Sequence, residues 1–160
     1  MNQPSNPTLT VTLPSDREIV MTRVFDAPRR LVFEAWTNCE HIPHWFGPRG
    51  WTVPECQIDL RPGGAWRFVL QGPDGTKMGM GGVYQEVSPP DRIVGTETFD
   101  DYPGESLNTI VLTEDNGKTT LTVTTFYASK EARDAVVQSG MQEGATESFD
   151  RLAEHLQTMA

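Results

Sequence analysis

Cys39-x-His41-x-x-His44 places three side chains that can ligate a metal within six residues. A structural zinc needs four N or S donors held in a tetrahedron. No fourth donor follows at a recognisable interval: the remaining histidine is His155, near the C-terminus, and Pro43 scatters the directions of its neighbours. No metal is expected at this place, and no cofactor. Acid–base chemistry has three candidates, Glu97, Asp59 and Tyr84: a carboxylate that exchanges a proton and a phenol that donates one. Asp59 stands in DLRPGG, where hydrogen bonding with Arg61 to hold a turn is the plainer role. Glu97 stands on a run that also carries Ile93 and Phe99, and an acid in such company either pairs with a cation such as Arg67 or has a raised pKa. No serine or cysteine has an identifiable base nearby in sequence, and neither GPDG nor EDNG opens a helix with a lysine, so neither is a phosphate cradle.

These residues need elements to position them. Arg17–Phe25 alternates as a strand. DAPRRLVFEAWTNCEH follows with Asp26 able to cap and Pro28 in a first turn, and Val32, Ala35, Trp36 and Cys39 at helical spacing. The stretch HIPHWFGPRGW reads as a packed corner in which Trp45 and Phe46 anchor a short second helix. From Thr52 the chain becomes strand-like runs, Thr52–Leu60, Ala65–Gln71, Met78–Val87, Arg92–Phe99, Ser106–Thr113 and Thr119–Tyr127. The connections RPGG, GPDG, SPPD, DDYPGE and EDNG are turn sequences, which predicts consecutive antiparallel hairpins. Ser129 is an N-cap for KEARDAVVQ, and Met141, Ala145, Phe149, Leu152 and Leu156 form a helical stripe towards the end, with Gly140 and Gly144 weakening its start. The predicted fold class is α+β: a curved antiparallel sheet of about seven strands wrapped on a long C-terminal helix, with two short helices after strand one.

Period-2 alternation sorts the strand faces. Trp66, Phe68 and Leu70 share one, Met78, Met80 and Tyr84 another, and Ile93, Glu97 and Phe99 a third. Turned inward, they would line a cavity with Trp66, Phe68, Met78, Met80, Tyr84, Glu97 and Phe99. The terminal helix would close it through Met141, Ala145 and Phe149, and Trp45, Phe46 and Trp51 would form one end.

Composition bounds the rest. A formal charge of −9 repels a phosphate backbone, so no nucleic-acid partner is expected. No long apolar run exists to span a membrane, and MNQPSNPTLT has no secretory character, so the expected compartment is the cytoplasm. Residues 1–16 read as a flexible tail before a single domain over 17–160. Cys39 and Cys56 read as buried free thiols.

The set TRVFDAPRRLVFEAWTNCEHIPHWFGPRGWTV, ECQIDLRPGGAWRFVLQGPDG, GGVYQEVSPPDRIV and SGMQEGATESFDRLAEHL resembles the family named after an activator of the ninety-kilodalton heat-shock chaperone's ATPase, in its small bacterial stand-alone type. That family lies in the START-like (SRPBCC) superfamily, which has the helix-grip fold of the birch-pollen allergen. The resemblance implies a cavity for a small hydrophobic or amphipathic molecule between sheet and terminal helix. It leaves two alternatives, an enzyme of cyclase, aromatase or hydrolase type, and a chaperone-accessory or regulator-binding protein. A homodimer is also open. Many relatives carry Trp where Ala145 stands, which implies more room beneath the helix here.

Overall fold

Among the described residues, eight antiparallel strands form one open sheet in the order β1-β2-β8-β7-β6-β5-β4-β3. The computed structural model describes residues 9–159. Its elements are β1 (Thr10–Thr12), β2 (Glu18–Phe25), α1 (Arg29–Thr37), α2 (Ile42–Trp45), β3 (Thr52–Ile58), β4 (Ala65–Gln71), β5 (Lys77–Ser88), β6 (Arg92–Phe99), β7 (Tyr102–Asp115), β8 (Lys118–Phe126), α3 (Lys130–Gln138) and α4 (Met141–Met159). Strands β3 to β8 are a meander, each from β4 onward paired with its predecessor. The chain leaves β2 through α1 and α2 and re-enters the sheet at its opposite edge. No described helix is long and apolar enough to cross a membrane.

The sheet has one strand more than the sequence predicts. Thr10–Thr12 pairs with Val20–Thr22 as an edge strand, and Leu9 is buried. Part of the stretch read as a tail is thus structured; TVT is too short to announce a strand without its partner. The turns RPGG, GPDG and EDNG hold for a physical reason: Gly63, Gly75 and Gly117 all sit at positive φ, where glycine escapes the Cβ clash, whereas Tyr102–Glu105 of DDYPGE belongs to β7.

Helix starts show one success and one correction. Ser129 caps α3, its hydroxyl accepting from Ala132 N at 3.0 Å. Asp26 does not cap α1. That helix begins after Pro28, and Glu114 of β7 supplies the acceptor instead, taking the Arg29 N–H at 2.9 Å. A long side chain reaching from a distant strand leaves no local spacing to read.

The two cysteines are not free thiols. Cys39 and Cys56 form a disulfide, with Cα atoms 5.7 Å apart, tying the segment after α1 to β3. Tertiary proximity of a helix end and an edge strand decides this, and sequence spacing does not carry it. The bond overturns the free thiols expected from the sequence.

Helix α4 packs Phe149, Leu152 and Leu156 into the core together with Phe25, Val32, Ile42 and Trp45. Gly140 at φ +86° breaks the chain between α3 and α4, a conformation that a side chain would strain.

Candidate ligand cavity

The corner HIPHWFGPRGW is where α4 grips the rest of the molecule. Ser148 Oγ accepts from Gly47 N at 3.1 Å and donates to Trp45 O at 3.2 Å. Arg151 donates to Gly47 O at 2.9 Å and to Pro48 O at 3.1 Å, and Glu147 accepts from Arg49 N at 2.9 Å. Backbone groups of an irregular segment need partners once water is excluded. Here α4 supplies them. The corner is therefore a docked structural element, and α4 is its clamp.

Fixing this corner fixes Phe46 and, on α1, Trp36. Both face strands β4 to β7, and between them lies a cavity of about 70 Å³, partly open to solvent. Its walls are Trp36, Phe46, Trp66, Phe68, Met80, Tyr84, Ile93, Gly95, Thr96, Glu97, Asn108 and Ile110. Register explains why these strand residues meet. Phe68 pairs with Met80, Tyr84 with Gly95, Gly95 with Asn108, and Ile93 with Ile110. Directly paired residues share a face of the sheet, so one face of four strands converges here. Gly95 helps to leave the space: it stands between Tyr84 and Asn108, where any larger residue would add bulk beside the Tyr84 ring.

The aromatic frame is continuous. Phe46 packs on Phe68 and Phe68 on Trp66, each pair with ring centroids 5.0 Å apart. Trp36 Nε1 and Arg23 Nε are the buried side-chain polar atoms without a hydrogen-bond partner among the described residues.

Glu97 is the one charged side chain among the cavity residues. Burial pushes its carboxyl up to about 7, against a side-chain hydrogen bond from Asn108 that favours the charged form. The amide of Asn108 is oriented for that task, because its Oδ1 accepts from Thr125 Oγ1 at 2.7 Å and its NH₂ is left for the carboxylate. Burial, and next the charge of Glu97, push Tyr127 up to about 12. Burial also raises Tyr84 well above the ordinary phenol range, so it stays protonated near neutrality.

Arg67 does not serve Glu97. It forms a two-pronged pair with Asp100, at 3.0 Å and 2.6 Å, on the exposed side of β4. Strand parity already put Arg67 opposite Trp66, and the pairing follows that parity.

Six residues singled out from the sequence come together at the cavity: Phe46, Trp66, Phe68, Met80, Tyr84 and Glu97. Others do not. Trp45 is fully buried in the core, its Nε1 donating to Ala35 O at 3.0 Å. Trp51 packs beside Gly72, and Met78 and Phe99 pack against the core without reaching the cavity. Met141, Ala145 and Phe149 do not line it either. Phe149 instead stacks edge-on with Phe25 and lies against Trp36 and Trp45. The cavity is closed by Trp36 and Phe46, not by the terminal helix, so the small residue Ala145 opens no space in it. Asp59 holds the DLRPGG turn, accepting from Arg61 Nε at 3.0 Å, away from the cavity.

Sequence reasoning missed Trp36, Asn108 and Ile110 as wall residues. A signal existed for two of them: Asn108, Ile110 and Leu112 alternate on β7, and that parity points them to the face that holds Leu112 in the core. Trp36 carries no such signal, since helical spacing reads equally as core.

The other candidate cluster is partly spent. Cys39 is in the disulfide and offers no thiolate. His41 Nε2 donates to Glu34 Oε2 at 3.0 Å, and its Nδ1 then accepts from His155 Nε2 at 2.9 Å. His44 stacks flat on His155, with ring centroids 4.8 Å apart. Burial, then the two neighbouring imidazoles, hold His155 below the usual histidine pKa. No group of His, Cys, Asp and Glu among the described residues has the arrangement of a metal site.

A family model described as activator of Hsp90 ATPase homolog 1-like protein matches residues 26–157. The chain belongs to that family. Solved structures of similar proteins carry the same helix-grip architecture. A protein of Rhodobacter sphaeroides is 32% identical, with 94% of this chain and 99% of that one covered and a TM-score of 0.90. One from Mycobacterium smegmatis is 26% identical, with 91% and 95% covered and a TM-score of 0.81. One from Nitrosomonas europaea is 25% identical, with 92% and 98% covered and a TM-score of 0.83. Among proteins with curated descriptions, none matches this chain. As a member of the activator-of-Hsp90-ATPase-homolog family with a helix-grip fold, the chain has the build of a ligand-binding domain.

Proposed function

We propose that this protein binds a small, mainly apolar molecule in the cavity between strands β4 to β7 and the α1–α2 corner. The observation that carries the reading is the convergence of five aromatic side chains and Met80 around unfilled space. Protein interiors are close-packed, and an apolar hollow is an exception that a guest would fill. Each methylene of a guest taken out of water would contribute about 0.8 kcal/mol. Met80 suits the role, since an unbranched thioether repacks around differing shapes.

Toluene, followed by amide chemical shifts in ¹H–¹⁵N spectra, tests it. Shifts should concentrate at the wall residues, and filling the space by Ile110→Trp in a protein that keeps its fold should abolish them. Saturating toluene that leaves those resonances in place would remove the reading.

A second reading, catalysis, has one observation in its favour. Glu97 titrates near neutrality inside an apolar wall, beside a phenol that stays protonated. That is the condition of a general acid–base pair. Loss of a reaction on Glu97→Gln, with binding of its substrate retained, would separate catalysis from binding.

A further inference from the structure

We infer that the guest of this cavity is a small organic cation, an ammonium head that sits among Trp36, Phe46, Trp66, Phe68 and Tyr84 and pairs with the Glu97 carboxylate. The inference rests on the cavity being a binding site, and adds the charge of what it binds.

Aromatic faces carry negative potential, and several rings around one space attract a cation that is weakly hydrated, as alkylated ammonium groups are. A neutral apolar guest needs no charge in its site, and a buried carboxylate costs free energy to keep. Yet Glu97 has no cationic partner among the described residues: the candidate from sequence, Arg67, is committed to Asp100 on the exposed side. The wall holds no lysine, arginine or histidine to attract an anion. Asn108, whose Oδ1 accepts from Thr125 Oγ1 at 2.7 Å, keeps its NH₂ for donation, a group that suits an ionised carboxylate beside it. The second demand comes from Trp36, a wall residue whose buried Nε1–H lacks an acceptor among the described residues. An oxygen on the guest would satisfy it. The chemistry described is an ammonium bearing a hydroxyl, ether or carbonyl oxygen. The cavity takes the head, and its open side leaves room for the remainder.

Ionisation links binding to pH. The groups that face Glu97 are Tyr84 from β5, Asn108 from β7 and Tyr127 after β8, while α1 and the α2 corner present Trp36 and Phe46. Both phenols stay neutral across the range where Glu97 titrates, so Glu97 alone sets the dependence.

Choline and its uncharged isostere 3,3-dimethylbutan-1-ol, titrated calorimetrically into the full chain, provide the test. Choline should bind at least about tenfold more tightly near pH 8, the preference narrowing as pH falls towards about 5.5. Glu97→Gln should weaken choline about tenfold and change the alcohol much less, and a retained thermal unfolding transition reports an intact fold. Equal binding of the two probes, or tighter binding of the alcohol, overturns the cation while the apolar cavity stands. Binding of neither, with toluene also silent, removes both readings together.

Discussion

Trp36 and Trp45 pack at a tilt of 55° with ring centroids 5.0 Å apart, yet among the described residues only Trp45 has a hydrogen-bond partner for its indole, the carbonyl of Ala35. One tryptophan is fastened into the core, and the other lies against the cavity with a donor left over. Trp45→Phe removes a buried hydrogen bond and part of a fully buried ring, and should cost about 2–3 kcal/mol. Trp36→Phe removes an unsatisfied donor as well as ring volume, so its cost should be clearly smaller, under about 1.5 kcal/mol. Urea denaturation of both variants measures the difference. Equal losses would mean the Trp36 donor is satisfied in solution.

Glu97 makes stability depend on pH in a stated direction. Its carboxyl is raised from 4.5 to about 7, so the native state holds its proton more tightly than the unfolded chain. The stabilisation is fully present below about pH 4.5 and is lost as pH rises through about 7, by on the order of 3 kcal/mol at most. Glu97→Gln keeps the shape and the Asn108 contact without a charge. The variant should equal the parent near pH 4.5 and exceed it near pH 8. Parallel stability curves for the two proteins over that span would contradict the assignment.

His155 acts at the acid side. Burial and the neighbouring imidazoles lower its pKa, so the stability it contributes is present above the ordinary histidine value of about 6.5 and is lost as pH falls below it. His155→Gln should flatten that limb, read as melting temperature against pH, while leaving the Glu97 limb in place.

The disulfide closes a loop with a sequence separation of 17, for which chain-entropy arguments give about 3 kcal/mol. Protein purified without reductant and then denatured should show no reactive thiol. Replacing both Cys39 and Cys56 by Ala should lower stability by a comparable amount. Two titratable thiols in the purified chain would show that the bond does not form.

Ala145→Trp should leave cavity binding within about twofold, because Ala145 lies outside the wall. Arg151→Met should instead loosen the corner, which loses donors to Gly47 and Pro48, and should destabilise by about 1–3 kcal/mol. Toluene titration and thermal unfolding of the two variants would reverse this order if α4 were the cavity's lid.

Much of this architecture is readable in the residues, and the unreadable part has a common cause. The β3–β8 meander is announced by local chemistry, glycine and proline turns between alternating runs. Cavity residues on β4 and β5 follow from parity, which is also local. What failed was long-range. Glu114 caps α1 from β7, Cys39 meets Cys56, and β1 exists only because β2 has a free edge beside it. The apolar stripe on α4 is buried at Phe149, Leu152 and Leu156 and only partly at Met141 and Ala145, and a stripe does not say what it buries against. Phe149 faces Phe25 and the two tryptophans of α1 and α2, and so the wall of the cavity fell to those short helices.

An open sheet has two exposed margins, and each here is poorly suited to recruit another chain. The strand at one margin, β1, offers three residues. At the other, β3 contains Pro54, which has no amide proton to donate, its pairing slips between Thr52 and Glu55, and Cys56 is bolted back to the helix layer. Interrupted margins of this kind frustrate the strand-on-strand growth that seeds fibrils. The bond that holds the helix layer to β3 thereby also guards the protein's colloidal behaviour, and reduction should make concentrated solutions prone to ordered aggregation before the core itself gives way.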